Sequence, residues 1–263
     1  MKIRYVSDLH LERVRPDRID LWLQCIPPGL DEVCILAGDI GNPQQPQYDV
    51  FMQFISQNFR KAFVIAGNHE YYHHAIEETN EHLVSYFKQF DNITFLKDSY
   101  EIYEGYCFVG TTLWSNVTNP QFKINDMYRI RGFDYVQYNQ LHRESVAFLQ
   151  DALEKNENCI VITHHLPSYS LIDVKYLVPA MRPYNQWFYS HMDPLFEPEK
   201  IKAWFYGHTH MASKKVIHGI PFLCNPVGYP GENAEVDFQA MFELRVPPLN
   251  DGVLRVPPLN DGC

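Results

Sequence analysis

Short apolar runs alternate with longer mixed stretches along most of the chain. The short runs predict buried strands at Ile3–Val6, Val33–Ala37, Phe63–Ala66, Cys107–Gly110, Cys159–Thr163 and Ala203–Tyr206. The longer stretches predict helices at Arg18–Cys25, Asp49–Phe59, Ala75–Phe90 and Gln140–Lys155. Strands that alternate with helices in this way are typical of an α/β sandwich.

The last part of the chain has a different pattern. Over Val216–Leu244, short predicted strands are separated by Gly and Pro turns. The nonapeptide LRVPPLNDG then occurs twice, at Leu244–Gly252 and Leu254–Gly262. Two copies of so short a unit are too few for a solenoid. We therefore expect one domain over residues 1–245, followed by a poorly ordered, Pro-rich duplicated tail over residues 246–263.

Composition and charge exclude several classes of protein. The 263 residues are 46% hydrophobic and 21% charged, which is enough apolar material for a sizeable core. The net charge of −10 disfavours broad binding to nucleic acid or to an anionic membrane. No apolar run approaches the ~20 residues of a membrane-spanning helix. The first residues, MKIRYVSDLH, are polar where a signal peptide is apolar, so we expect a cytoplasmic protein.

The six cysteines are spread along the chain without a CxxC pair. Four of them lie in apolar, strand-like runs: Cys34, Cys107, Cys159 and Cys224. We expect these four to be buried free thiols rather than partners in disulfides or ligands of a structural zinc ion.

Five clusters of residues with metal-binding side chains each follow a predicted strand. They are Asp8-Leu9-His10, Gly38-Asp39, Gly67-Asn68-His69-Glu70, His164-His165 and Gly207-His208-Thr209-His210. In open α/β sheets, ligands bind at the carboxyl ends of the strands. Residues that are far apart in the sequence are therefore expected to meet at one edge.

The residue types in these clusters suit a site with two metal ions. Such a site needs one carboxylate between two cations, together with imidazole and oxygen ligands. Asp39, in a Gly-Asp turn, suits the shared position. Asp8 and His10 are two residues apart and can face one metal, and His208 and His210 can likewise present two imidazoles to one centre. Asn68 offers a neutral amide oxygen.

The motifs DLH, GDI, GNHE, THH and GHTH, in this order, resemble those of the calcineurin-like metallophosphoesterase superfamily. The resemblance extends over about residues 1–245, and CNPVGYPGEN is similar to the ending of a small single-domain branch. It implies a four-layer αββα sandwich, in which two mixed β-sheets pack face to face and are flanked by helices.

The resemblance also implies a set of metal ligands. It places a first divalent metal ion between Asp8, His10, Asp39 and His210. It places a second between Asp39, Asn68, His164 and His208. Oxygen and nitrogen ligand sets of this kind accept Mn, Fe, Zn, Co or Ni, so the metal stays open.

Roles for His69 and His165 follow from the same resemblance, and the residue type and position of Glu70 suggest two roles for it. His69 matches the histidine that lies beside the phosphate and the leaving group. Neighbouring residues on a strand point to opposite faces, so only one of His164 and His165 is a ligand. The resemblance favours His164, which leaves His165 near the substrate or just outside the ligands. Glu70 is expected either to orient His69 or to cap the following helix.

The implied activity is hydrolysis of a phosphodiester or a nucleotide-like phosphate ester. A water between the two metals becomes a hydroxide that attacks phosphorus, and catalysis involves Asp39, His69 and His165. A phosphomonoester is the second choice of substrate, and a long nucleic acid is third because of the net charge. The other hypotheses are a hydrolase of non-phosphate esters or thioesters and a non-catalytic interaction module on the same fold.

Two irregular segments, Thr111–Tyr138 and Leu166–Glu199, are rich in aromatic residues, Asn, Pro and Arg. Long loops of this kind are often functional, although they can also simply cover the edges of a sheet. Aromatic residues in or near them either stack on a nucleobase or pack internally: Trp114, Tyr128, Tyr184, Trp187 and Tyr229. Three arginines either bind a second anionic group or lie on the surface: Arg129, Arg131 and Arg182.

We expect that ending the chain after Gly252 leaves metal content and activity unchanged. Each LRVPPLNDG copy contains a Pro-Pro pair, which supplies no backbone donor and cannot easily extend a sheet interior. No predicted ligand lies beyond His210. Size-exclusion chromatography with and without residues 253–263 tests the competing idea of a docking strap. A change of oligomeric state on truncation would contradict an inert tail.

Overall fold

A computed structural model describes residues 1–229, 232 and 237–244. The predicted tail, residues 246–263, lies outside the described residues. The first six strands are β1 (Lys2–Val6), β2 (Gly29–Ala37), β3 (Phe59–Ile65), β4 (Ile93–Phe95), β5 (Ser99–Tyr103) and β6 (Tyr106–Thr111). The other five are β7 (Cys159–Thr163), β8 (Ile201–Phe205), β9 (Ser213–Ile217), β10 (Ile220–Cys224) and β11 (Met241–Glu243). The α-helices are α1 (Ile19–Leu23), α2 (Pro46–Asn58), α3 (Ile76–Tyr86), α4 (Asp126–Arg129) and α5 (Tyr135–Lys155).

The strands form two mixed sheets. The first sheet has the order β11-β1-β2-β3-β4, in which β1 to β4 are parallel and β11 is antiparallel. The second has the order β5-β6-β7-β8-β10-β9. Its four central strands are parallel, and β5 and β9 pair antiparallel at its two edges. The order places β1, β2 and β3 side by side in one sheet and β7 beside β8 in the other.

Three apolar clusters divide the molecule into layers. The central cluster lies between the sheets, where the rings of Phe63 and Phe108 stack with centroids 4.0 Å apart. A second cluster packs the outer face of the first sheet against α2 and α3, through residues such as Phe51 and Leu83. A third packs the second sheet against α5, through Leu149. This arrangement confirms the expected four-layer sandwich of two mixed sheets flanked by helices.

All six strands predicted from apolar runs are present, with ends that shift by a few residues. The prediction missed β4, which has only three residues, and β5, whose residues alternate between partly buried and exposed positions. An edge strand of this kind carries little apolar signal, because one of its faces is in water. The four cysteines expected as buried thiols are buried and free.

No helix in the part of the chain that the structure describes combines the length and the apolar character needed to cross a bilayer. The longest described helix, α5, has 21 residues, but several of its positions are charged or exposed.

Replacing Phe108 by Ala should strongly destabilise the fold, because this ring lies between the sheets and is fully buried. We expect Phe108→Ala to lower the free energy of unfolding by about 3–5 kcal/mol, measured by denaturant unfolding. The control is Ile102→Ala on β5, where the side chain is 66% exposed, and its expected effect is within about 0.5 kcal/mol. Similar small losses for both variants would contradict the assignment of the inter-sheet core.

Candidate metal centre

The loops that leave the strands carry an unusual backbone conformation. Left-handed φ angles occur at Asp8 (53°), His10 (49°), Asp39 (53°), His208 (68°) and His210 (50°). Positive φ is uncommon for residues other than Gly, and each such residue typically costs about 1–3 kcal/mol. Five of the seven predicted ligands therefore lie in a strained conformation, which the rest of the structure has to hold.

Hydrogen bonds between the loops hold these conformations. The backbone N–H of Asp8 donates to the carbonyl of Gly38 (3.0 Å), and that of His10 donates to the carbonyl of Asp39 (3.0 Å). In the second sheet, the N–H of Gly207 donates to the carbonyl of His164 (3.0 Å). The strand ends of each sheet are thus connected beyond the last strand residue.

Glu70 ties two of the loops together. Its buried carboxylate accepts hydrogen bonds from the backbone N–H groups of Asp39 (3.0 Å), Ile40 (2.7 Å) and Gly67 (2.6 Å). Burial, together with the nearby Asp39 carboxylate, raises the pKa of Glu70 to about 7. Both expectations for Glu70 were wrong, because its carboxylate neither orients the ring of His69 nor caps a helix.

Gly67 allows the two loops to approach each other. A Cβ atom at this position would lie 2.2 Å from Asp39 Oδ1 and 2.7 Å from His164 Cε1. Any side chain would therefore push these two groups apart. The glycine of the GNHE motif is explained by close packing around Asp39.

The first group of ligand atoms belongs to Asp8, His10, Asp39 and His210. The Nε2 atoms of His10 and His210 are 3.0 Å apart. Asp8 Oδ1 lies 3.5 Å from His210 Nε2, and Asp39 Oδ2 lies 3.9 Å from His10 Nε2. These are the four residues expected around the first metal.

The hydrogen bonds around this first group turn its imidazole nitrogens toward one another. His10 donates its Nδ1–H to Glu12 (3.2 Å), and His210 donates its Nδ1–H to Glu232 (2.7 Å), because a carboxylate only accepts. The Nε2 atoms of the two rings therefore face each other at 3.0 Å. Together with the carboxylates of Asp8 and Asp39, they form a donor set that fits a divalent metal ion.

The second group comprises Asp39, His164 and His208, with the amide oxygen of Asn68 between the two rings. Asn68 Oδ1 lies 3.1 Å from His164 Nε2 and 3.1 Å from His208 Nδ1. His164 donates its Nδ1–H to the carbonyl of Ala37 (2.9 Å), so its Nε2 faces the group. This set of one carboxylate, one amide oxygen and two imidazoles also fits a divalent cation.

Asp39 belongs to both groups, and its two oxygens face different histidines. Oδ1 lies 3.4 Å from His164, whereas Oδ2 lies 3.9 Å from His10. Burial would raise the pKa of Asp39, but His164, His69 and His10 hold it well below its usual range. Burial would lower the pKa of His164, but Asp39 raises it to about 10. The buried carboxylate therefore attracts positive charge from both sides.

The structure brings all seven predicted ligands together in two neighbouring groups that share Asp39. It does not place His208 and His210 in one group, as their spacing alone suggested. Their side chains diverge, so that His210 faces His10 and His208 faces His164. The backbone N–H of His208 donates to Asp8 Oδ1 (2.9 Å), which places this loop between the two groups.

His69 lies beside the first group and faces a cavity. Its Nδ1–H donates to Glu12 (3.0 Å), and its Nε2 lies 3.1 Å from the hydroxyl of Tyr229 and 4.0 Å from Asp39 Oδ2. Burial would lower the pKa of His69, but Asp39 and Glu12 raise it above its ordinary value. His69 therefore lies beside the first group at the cavity wall, and its role at the leaving group stays a prediction.

His165 lies behind the site, fully buried. Its Nε2 is 3.2 Å from the hydroxyl of Tyr138, and its ring packs against His208 with centroids 4.2 Å apart. Burial and the neighbouring His164 lower the pKa of His165 to about 3. Of its two expected positions, the one outside the ligands agrees with this geometry, and its catalytic role stays a prediction.

Three carboxylates that orient the predicted ligands were missed in the sequence. Glu12 contacts His10 and His69, and Glu232 contacts His210. Asp126 accepts from Asn68 Nδ2 (2.8 Å), which turns the amide oxygen toward the histidines. Glu12 had a signal in the sequence, since it follows His10 by two residues, and Glu232 lies in the CNPVGYPGEN segment. Asp126 follows no predicted strand.

A cavity of about 330 Å³ opens beside both groups. Its walls come partly from the two irregular segments, which supply Lys123, Asn125, Tyr176, Tyr184 and Phe188. These segments therefore contribute to the site, rather than only covering sheet edges.

Of the five aromatic residues singled out in the sequence, the cavity is lined by Tyr184 and Tyr229, whereas Trp114 and Trp187 are buried in the core. The three arginines considered for a second anionic group do not line the cavity.

Comparisons with known proteins agree with this architecture. An uncharacterized protein of Acanthamoeba polyphaga mimivirus is 32% identical over 265 aligned positions, which cover 88% of this chain and 92% of the viral protein. The crystal structure of phosphopantetheinyl hydrolase from Mycobacterium tuberculosis is similar with a TM-score of 0.71. It is 16% identical, and the match covers 88% of this chain and 90% of that one, so it shows the shared fold.

The family model that matches this chain is that of the calcineurin-like phosphoesterases. The match spans residues 1–212, and therefore includes every predicted ligand from Asp8 to His210. The long match and the arrangement of the strand-end loops lead to one conclusion. The chain belongs to the calcineurin-like phosphoesterase family.

Proposed function

We propose that this chain is a phosphoesterase that depends on two divalent metal ions and hydrolyses a small phosphodiester or a nucleotide-like phosphate ester. The observation that carries the proposal is the pair of ligand groups that share Asp39. Membership of the family supports a hydrolase that acts on phosphate esters and binds divalent metals. None of the ligand positions implied by the resemblance is replaced by another residue type.

In this proposal, Asp8, His10, Asp39 and His210 hold the first ion. Asp39, Asn68, His164 and His208 hold the second. Two such ions, when bound, activate water and neutralise the charge on the phosphoryl oxygens. The candidate metals remain Mn, Fe, Zn, Co and Ni, because mixed oxygen and nitrogen ligands suit each of them.

In this proposal, His69 assists departure of the leaving group. His69 Nε2 faces the cavity, and the Tyr229 hydroxyl at 3.1 Å marks a place where an oxygen atom reaches this nitrogen. When protonated, His69 can donate a proton to the leaving oxygen as the bond to phosphorus breaks. Asn68 offers a neutral oxygen and so adds no charge to the site.

The cavity supports a small ester with a sizeable leaving group. Its volume of about 330 Å³ extends from the ligand groups to Tyr176, Tyr184 and Phe188. These rings provide apolar surface for a planar or apolar group, and Lys123 provides a positive charge at the same wall. A monoester of inorganic phosphate with a small alcohol would leave most of this surface unused. The net charge of −10 disfavours a long nucleic acid.

A substrate screen tests this proposal. The apoprotein is reconstituted with each candidate metal and assayed on phosphomonoesters, cyclic nucleotides, dinucleotides and single-stranded DNA. We expect the highest kcat/KM on a small diester, such as a cyclic nucleotide or a dinucleotide. Higher kcat/KM on monoesters would overturn the preference for diesters, and inactivity on every phosphate ester would overturn the function.

We expect two metal ions per chain and a shared role for Asp39. Because Asp39 faces both groups, Asp39→Asn should lower the occupancy of both sites, whereas His10→Ala should mainly empty the first. Elemental analysis after reconstitution measures this directly. His191→Ala, at an exposed histidine outside both groups, is the control and should keep two ions. One ion or none in the unmodified chain would contradict the dinuclear site.

The role of His69 predicts a dependence on the leaving group. An alkoxide needs a proton donor as it departs, whereas a nitrophenolate leaves readily without one. His69→Ala should therefore cost about 2–4 kcal/mol in transition-state stabilisation on alkyl diesters and much less on nitrophenyl esters. The measurement is kcat/KM for both substrate types at equal metal occupancy. Equal losses on the two types would rule out the acid role.

A further inference from the structure

Glu12 lies at the junction of the first ligand group and His69. It belongs to a short 3-10 turn, Leu11–Arg13, that directly follows His10. A single oxygen, Oε1, is 3.2 Å from His10 Nδ1 and 3.0 Å from His69 Nδ1. The two rings meet nearly edge to face, with centroids 4.4 Å apart. One carboxylate atom thus contacts a predicted metal ligand and the predicted leaving-group residue.

The contact with Glu12 determines which nitrogen of each imidazole ring is left free to face a metal ion or a substrate. An ionised carboxylate can only accept hydrogen bonds, so both rings donate Nδ1–H to it. The Nε2 atom of His10 then faces the other first-group ligands, and that of His69 faces the cavity. Which nitrogen is free depends on the partner of the other nitrogen, as in many metal-bound histidines.

The second carboxylate oxygen of Glu12, Oε2, does not hold any other part of the structure by a hydrogen bond among the described residues. Oε2 is buried, and no hydrogen-bond partner is found for it among the residues that the structure describes. Glu70, in contrast, uses its carboxylate to connect backbone N–H groups of two loops. The hydrogen bonds of the Glu12 side chain thus go to the two imidazole rings rather than to the backbone.

We propose that Glu12 is a positioning residue that turns His69 Nε2 toward the leaving group and His10 Nε2 toward the first metal. The part that concerns His69 rests on the proposed function. Glu12 touches neither the substrate nor the metal in this arrangement, and it acts only through the two rings. Metal binding and leaving-group assistance are thereby linked through one carboxylate oxygen.

The chain provides a matched control in Glu232. Its carboxylate contacts Nδ1 of His210 at 2.7 Å, in the same way that Glu12 contacts His10. Glu12 contacts His69 as well, whereas the side-chain contacts found for Glu232 are with His210 and the backbone of Tyr229. Loss of either carboxylate should weaken the first metal site, but only loss of Glu12 should change the behaviour of His69.

The first measurement uses the metal-free protein and does not depend on activity. Long-range ¹H–¹⁵N NMR of the histidine rings reports which nitrogen carries the proton. In the unmodified chain we expect His69 to be protonated at Nδ1. In Glu12→Ala this preference should be lost, whereas in Glu232→Ala it should remain. Titration with Mn²⁺ alone should then give a 10–100-fold weaker first site in both variants.

The second measurement compares substrates at saturating metal. Glu12→Ala should reduce kcat on an alkyl diester at least 10-fold more than on a nitrophenyl ester, with little change in KM. Glu232→Ala should reduce both by the same factor. In a His69→Ala background, Glu12→Ala should add no further leaving-group dependence, because the two residues act as a unit. If Glu12→Ala does not fold, Glu12→Gln, which keeps the size without the charge, is judged by the same criteria.

The outcomes separate this proposal from the proposed function. If His69 keeps its Nδ1 proton in Glu12→Ala, or if both substrates lose activity equally, Glu12 does not position His69. An unchanged Mn²⁺ affinity would overturn its role toward His10. If the unmodified chain hydrolyses no phosphate ester, the proposed function fails, and the NMR and Mn²⁺ measurements still decide the role of Glu12.

Discussion

The site depends on one buried carboxylate, that of Asp39, which needs positive charge on both of its sides. Asp39 is almost fully buried, yet its pKa stays low because histidines surround it. An isolated charge in such a place would be strongly destabilising. The two ligand groups, one on each side of Asp39, satisfy this demand when they hold cations. The close approach at Gly67 and the hydrogen bonds from the loops keep the carboxylate in place.

Four carboxylates around the ligands help to hold the strained strand-end loops and the side chains that they carry. Glu70 connects the loops after β2 and β3 through backbone N–H groups. Glu12, Glu232 and Asp126 instead act on side chains, and each fixes the orientation of a predicted ligand. Part of the net negative charge of the chain is therefore concentrated around the site, where it raises the affinity expected for cations.

The two irregular segments form part of the cavity beside the ligand groups. They are anchored by buried aromatic residues such as Trp114 and Trp187, while Lys123, Tyr176 and Tyr184 from the same segments line the cavity. The anchoring side chains and the lining side chains thus have different tasks within the same loops. Family membership fixes the class of chemistry, and these cavity residues are where selection among phosphate esters can take place.

The sequence by itself predicted an α/β sandwich, six of its strands and the seven candidate ligands, since each candidate ligand lies just beyond an apolar run. The tertiary structure alone decided which ligands face one another. His208 and His210 have the spacing of a pair, yet left-handed backbone angles send them to different groups. The orienting role of Glu12 was equally hidden, because its partner His69 lies 57 positions away. Hydrogen-bond partners depend on how loops that are distant in the sequence pack together, and the spacing of residues within one motif does not predict that packing.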